Sequence, residues 1–179
     1  MNAQPADHSP AGELQTLLAS RIPLVIIESR EEGRAIELVR EAAMRAQRGR
    51  NWGVFQWTVT EGLLRVDVNM GGPQHLLAQP EQLLRHIKST PMAGIYVLLD
   101  FHPYLENPLF VRTLKDIAQE YDKCARTIVL ISFEVKLPAE LEHLAARFTL
   151  LLGRMGSVRT RTLKAFPEAA YREIINSLS

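Results

Sequence analysis

The chain has 179 residues, 46% of them hydrophobic and 23% charged, with a formal net charge of +1. That is enough for one globular domain of ordinary size, and so even a charge balance points to neither a nucleic-acid nor a membrane partner. No apolar run is long enough to span a bilayer, residues 1–12 contain no signal-like apolar core, and the single cysteine, Cys124, excludes an internal disulfide, so a cytoplasmic protein is expected.

Residues 1–12 are polar and contain Pro5 and Pro10, and are expected to be disordered. Residues 13–20 form a short amphipathic helix with Leu14, Leu17 and Leu18 on one face, which Pro23 prevents from continuing. Leu24-Val25-Ile26-Ile27 is a short β-branched run and reads as a buried strand ending at Glu28. A helix follows over about 31–47, with Ile36, Val39, Ala43 and Met44 inward and Gly49 as its stop. The alternation around 54–58 predicts a second strand, and 60–68 either extends it or forms a hairpin arm.

Gly71-Gly72-Pro73 breaks the chain, and Pro80 opens a helix over 81–88 whose apolar face is Leu83, Leu84 and Ile87. Residues 94–100 are apolar up to Asp100, which predicts a central strand. Asn107 and Pro108 have the chemistry of an N-cap and a first helical residue, for a helix to about 122. Strands at 127–132 and 148–152 are separated by a short helix after Pro138. Beyond Gly153 the chain turns basic, through Arg154, Arg159, Arg161 and Lys164, and 167–178 has helical apolar spacing.

Apolar strands alternating with amphipathic helices predict an α/β three-layer sandwich around a five-stranded parallel sheet. Right-handed crossovers collect the strand ends Glu28, Asp100 and Ser132 on one edge. The domain reading is a disordered 1–12, an α/β domain over 13–152, and a basic loop plus C-terminal helix over 153–179.

Residues 28–35 carry the spacing of a phosphate-binding loop, G-x-x-x-x-G-K-[ST], with most of its chemistry changed. The first glycine is Glu28, the second is kept as Gly33, the lysine is Arg34 and the hydroxyl is Ala35. Glu28, Glu31 and Glu32 would repel the phosphates that such a loop cradles with bare amides. Arg34 suits the point-charge role of the lysine poorly and more simply neutralises the local acids. Asp100 reads as a loop cap or a partner of Arg34, and His102, beside Pro103 and Tyr104, as a loop-packing residue. The remaining histidines lack metal-ligand spacing, and Cys124 reads as a plain thiol.

In this order and spacing the residues resemble the AAA+ ATPase family. Val97-Leu98-Leu99-Asp100 resembles the strand that ends in its Mg²⁺-binding Asp, but Phe101 stands where the catalytic Glu follows. Ser132 occupies the position of the polar sensor at the end of strand four. Arg147, before Phe148, occupies that of an arginine reaching a neighbour's nucleotide. The phrase from Asp100 to Pro108 is similar to the degenerate N-terminal domain of a bacterial and chloroplast-type AAA+ group, and the resemblance covers about 13–152.

The resemblance implies a strand order 5-1-4-3-2 and a degenerate nucleotide site of Glu28, Gly33, Arg34, Asp100 and Ser132, with no catalytic residue and no metal site. Arg147 becomes a trans-acting candidate. ATP and Mg²⁺ are expected only in an intact domain elsewhere in a parent ATPase, so this chain has no cofactor of its own. The implied partners are other AAA+ domains or subunits, in a homo-oligomer of the full-length protein. Membranes are not among them, and nucleic acid is not favoured. The function read from this is a non-catalytic module for assembly or partner binding. The alternatives are a receiver-like signalling domain, a nucleotide-binding ATPase domain with a divergent site, and a nucleic-acid-binding module through the basic tail.

Overall fold

A computed structural model describes residues 9–69, 71–152 and 158–163. Its seven strands form one sheet in the order β3-β2-β4-β5-β1-β6-β7. They are β1 (Leu24–Glu28), β2 (Gly53–Thr58), β3 (Gly62–Arg65), β4 (Gly94–Leu99), β5 (Arg126–Ser132), β6 (Ala145–Leu152) and β7 (Val158–Leu163). The helices are α1 (Pro10–Ala19), α2 (Glu32–Ala46), α3 (Pro80–Ser89), α4 (Pro108–Gln119) and α5 (Ala139–Glu142).

The five strands expected from the sequence, β1, β2, β4, β5 and β6, are mutually parallel and lie in the expected order. The sheet is nevertheless wider than five. Antiparallel β3 and β7 extend its two edges as hairpin arms on β2 and β6. β3 realises the hairpin arm open to residues 60–68. β7 lies where a basic loop was expected, and its Val-Arg-Thr-Arg-Thr-Leu alternation is strand-like. The expected helix over 167–178, and Arg154 and Lys164, lie outside the described residues.

The strand order also removes the receiver-like alternative. That fold sets strand one between strands two and three, whereas β1 here pairs with β5 and β6.

α1 begins at Pro10, three residues before the expected start, so residues 10–12 are helical rather than disordered. Ser9 caps the helix, its hydroxyl accepting from the Gly12 amide at 3.1 Å, and Pro10 occupies the first turn. Residues 1–8 lie outside the described set.

Alternation along β1 sets the layers. Val25 and Ile27 face α1 and α2 in one apolar cluster, while Leu24 and Ile26 face α3 and α4 in the other. β4 and β5 are buried along their whole length, as parallel strands covered on both faces must be. The α3/α4 face is rich in aromatics. Trp57 meets Phe101 edge-on at 5.6 Å and donates from Nε1 to the Leu77 carbonyl, and Phe55 stacks on Tyr96 at 4.8 Å. Burial pushes the Tyr96 phenol up to about 12. The β2–β3 hairpin needs Gly62, whose φ is +88° and whose absent Cβ would fall 2.1 Å from the Gln74 carbonyl oxygen.

Candidate functional site

The carboxyl ends of β1, β5 and β4 lie side by side and bring Glu28, Ser132 and Asp100 to one edge, as expected. Gly33 and Arg34 lie one step away, in the first turn of α2. Three local arrangements result.

The first is the loop between β1 and α2, which is only residues 29–31. The Ser29 amide donates to the Ser132 carbonyl at 3.0 Å, and the Glu31 amide donates to Ser29 Oγ at 3.1 Å. Two of the amides that could face an anion are therefore already bonded. Glu31, Glu32, Gly33 and Arg34 are exposed, and the Arg34 guanidinium lies 3.9 Å from Glu31 rather than against Asp100. A Cβ on Gly33 would meet nothing within 4 Å, so no close backbone approach requires this glycine. Ala35, on the inner face of α2, is fully buried. A cavity of about 450 Å³ borders the loop, with Ser29, Glu31, Arg34, Glu37, Leu38 and Leu150 in its walls.

The second arrangement centres on Glu28. Its side chain leaves the strand on the α5 face, away from the loop. Glu28 Oε1 accepts from the Val135 amide at 2.9 Å and from Arg147 at 3.2 Å. Arg147 also donates to the Val135 carbonyl at 3.1 Å and to Glu142 at 3.3 Å. Its side chain is 24% exposed and that of Glu28 33%. A guanidinium with three partners in its own chain is a clamp joining β1, β6, the segment after β5 and α5. Arg147, the trans-acting candidate, has Glu28, Val135 and Glu142 of its own chain as hydrogen-bond partners. The sequence signal for this role is the alternation on β6, which places Arg147 beside Ile26 and on the same face as Glu28.

The third arrangement joins Asp100, Ser132 and His102. Asp100 takes a left-handed φ of 51°, a region that Asp enters more readily than most residues. Ser132 Oγ donates to Asp100 Oδ1 at 3.0 Å and lies 2.7 Å from His102 Nδ1. The serine has one hydroxyl proton, so with it on Asp100 the imidazole donates from Nδ1. His102 is thus a hydrogen-bonding member of the edge, not merely loop packing. Phe101, where the resembling family has its second acid, is fully buried and packs against Trp57 and Tyr104.

These residues do not fit Mg²⁺·ATP. The loop is short and acidic, its amides are partly bonded, and the lysine and hydroxyl positions hold an exposed Arg34 and a buried Ala35. Among the described residues no group of three or more His, Cys, Asp and Glu could hold a metal ion. Nor is any described helix long and apolar enough to cross a membrane.

The family profile described as "SpoVK-like AAA ATPase, N-terminal domain" matches residues 11–150. Among curated proteins, the chain is similar to three called "Uncharacterized AAA domain-containing protein ycf46". That of Guillardia theta is 30% identical over 72% of this chain and 25% of its own length. That of Trieres chinensis is 26% identical over 74% and 26%, and that of Pyropia yezoensis is 21% identical over 93% and 34%. The chain thus spans about a quarter to a third of the length of these relatives. With a profile that runs from the first helix to β6, the chain belongs to the SpoVK-like AAA ATPase N-terminal domain family.

Proposed function

We propose that this chain is a non-catalytic AAA-type domain that serves assembly or partner binding, with ATP turnover carried by a separate domain of a longer protein. The observation that carries this reading is the three-residue β1–α2 connection, in which the Ser29 and Glu31 amides are already bonded and the flanking side chains are carboxylates. Phosphoryl transfer depends almost wholly on positioning and on charge neutralisation. Here the residues at the corresponding positions supply neither. Further support comes from Phe101, whose side chain belongs to the apolar core.

Arg147 acts in cis on this reading. It anchors Glu28 and the segment after β5 and leaves the trans-acting role to others. The ATPase alternative would need a nucleotide held without the amide cradle. The basic-tail alternative rests on Arg154, Arg159, Arg161 and Lys164, of which Arg159 and Arg161 belong to edge strand β7, where charge also blunts an open sheet edge.

The test is steady-state turnover of Mg²⁺·ATP by the chain as given. The expected result is a rate equal to the buffer control. Turnover above that control, abolished by Asp100→Ala, would overturn the reading.

A further inference from the structure

At the amino end of the sheet, away from the Glu28 and Asp100 edge, two buried polar atoms have no hydrogen-bond partner among the described residues. They are the Tyr96 phenol oxygen and Arg126 Nη1. Tyr96 is fully buried and Arg126 is 5% exposed. A buried polar group left unpaired is destabilising, a charged one most of all, so native interiors rarely keep two of them in one corner.

The strand register puts both in that corner. Arg126 opens β5 opposite Gly94, and Tyr96 lies two residues further along β4, opposite Ile128. Tyr96 and Ile128 belong to the α3/α4 cluster, so Arg126, two residues before Ile128, points to the same face. Gly94, opposite Arg126, contributes no side chain there. Burial raises the Tyr96 pKa and the charge of Arg126 opposes the rise, so the guanidinium is within electrostatic reach of the phenol.

Only part of the guanidinium is bonded. Nε and Nη2 both donate to the Thr90 carbonyl, at 3.2 and 2.8 Å. Nη1 faces Glu120 Oε2 at 3.7 Å, too far for a hydrogen bond and suited to a bridged contact. The corner thus offers two donors, the phenol O–H and Nη1–H, and one acceptor, the carboxylate. An anion would accept from both donors but would lie against Glu120, which has no proton to give. A cation would lie against Arg126. The ligand that fits accepts twice, donates at least once and carries no charge.

We propose that one water molecule is a built-in ligand of this corner, accepting from Tyr96 Oη and Arg126 Nη1 and donating to Glu120 Oε2. Three bonds are the usual complement of a buried water. Thr90 is the C-cap of α3 and Glu120 that of α4, so the bridge ties the ends of both helices to β4 and β5.

The experiment is a high-resolution crystal structure of the full chain, with a second crystal grown in bromide salt, beside urea unfolding of Tyr96→Phe. One water is expected within about 3.2 Å of Tyr96 Oη, Arg126 Nη1 and Glu120 Oε2, with no anomalous bromide peak at that place. A direct hydrogen bond from the phenol to a protein group, a bromide peak or a corner without density would overturn the proposal. Tyr96→Phe keeps the ring that stacks on Phe55 and removes only the hydroxyl. It is expected to lower the folded-to-unfolded ratio about fivefold, because a bonded partner is lost. Removing an unpaired hydroxyl would instead raise that ratio, so a variant as stable as wild type, or more stable, would also overturn the proposal. None of these results bears on ATP turnover, so the non-catalytic reading stands or falls separately.

Discussion

Two loops leave the same edge of the sheet and are packed in opposite ways. After β1, residues 30–34 are all exposed, four of them charged and the fifth a glycine whose Cβ position nothing approaches. After β4, Asp100 is exposed but the next residue, Phe101, is fully buried among aromatics. The first loop is free of packing duties, and the second has been drawn into the core. Substitutions in the first loop are therefore expected to be near neutral for stability, and those at Phe101 to be costly.

The largest effect expected from this contrast is at Phe101. Phe101→Ala removes a fully buried ring beside Trp57 and Tyr104 and should cost about 3–5 kcal/mol, read by urea unfolding. A loss below about 1 kcal/mol would show that this loop is as free of packing duties as the other.

Glu28 and Arg147 stand at the boundary between the two regimes, at the strand end itself. Arg147→Ala leaves the Glu28 carboxylate with the Val135 amide as its remaining bond and should cost about 1–3 kcal/mol. Arg147→Lys should recover only part of it, since one ammonium cannot reach Glu28, Val135 and Glu142 together. Equal stability of all three proteins would remove the clamp from the account.

Asp67 offers a pH control away from both loops. Burial pushes its carboxyl up, but hydrogen bonds from Arg65 and the Val54 amide outweigh that and hold it below the usual carboxylate range. A lowered folded pKa contributes stability that is present above the unfolded value, about 3.9, and is lost as the pH falls through the lower folded value. Asp67→Asn should therefore flatten the acid limb of the stability curve below about pH 4. An unchanged limb would contradict the assignment.

The smallest effect, and the one of opposite sign, is at Gly33. Gly33→Ala should stabilise the chain by about 0.5–1 kcal/mol, because the position is helical, exposed and open. A working phosphate loop would instead lose its backbone approach. Destabilisation by Gly33→Ala would show that the glycine is held for a reason the geometry does not contain.

Much of this was legible in the residues. β-branched runs and capping residues located the parallel strands and most helices, and the strand order followed from the resemblance. The edge arms were harder. β7 is short, and four of its six residues are Arg or Thr, so its alternation resembles a basic loop. Ser9 is hard to recognise as a cap because Pro10, the first helical residue, sits in a polar, Pro-containing stretch with the composition of disorder. At the site, spacing identified Glu28, Gly33, Arg34, Asp100 and Ser132 but not where their side chains turn. Glu28 and Arg147 meet across 119 positions of sequence, a contact that only the sheet register brings about. His102 beside Ser132 depends likewise on the left-handed turn at Asp100.

The central claim is that the β1–α2 connection cannot hold a nucleotide. Isothermal titration of the chain with Mg²⁺·ATP tests it most directly, beside a variant carrying Glu28→Gly, Arg34→Lys and Ala35→Thr. No saturable heat is expected from wild type up to millimolar nucleotide. None is expected from the variant either, because three residues are too few to wrap a phosphate, Glu28 is needed by Arg147 and Val135, and a threonine does not fit the buried Ala35 position. A low-micromolar dissociation constant for wild type, weakened by Asp100→Ala, would contradict the account.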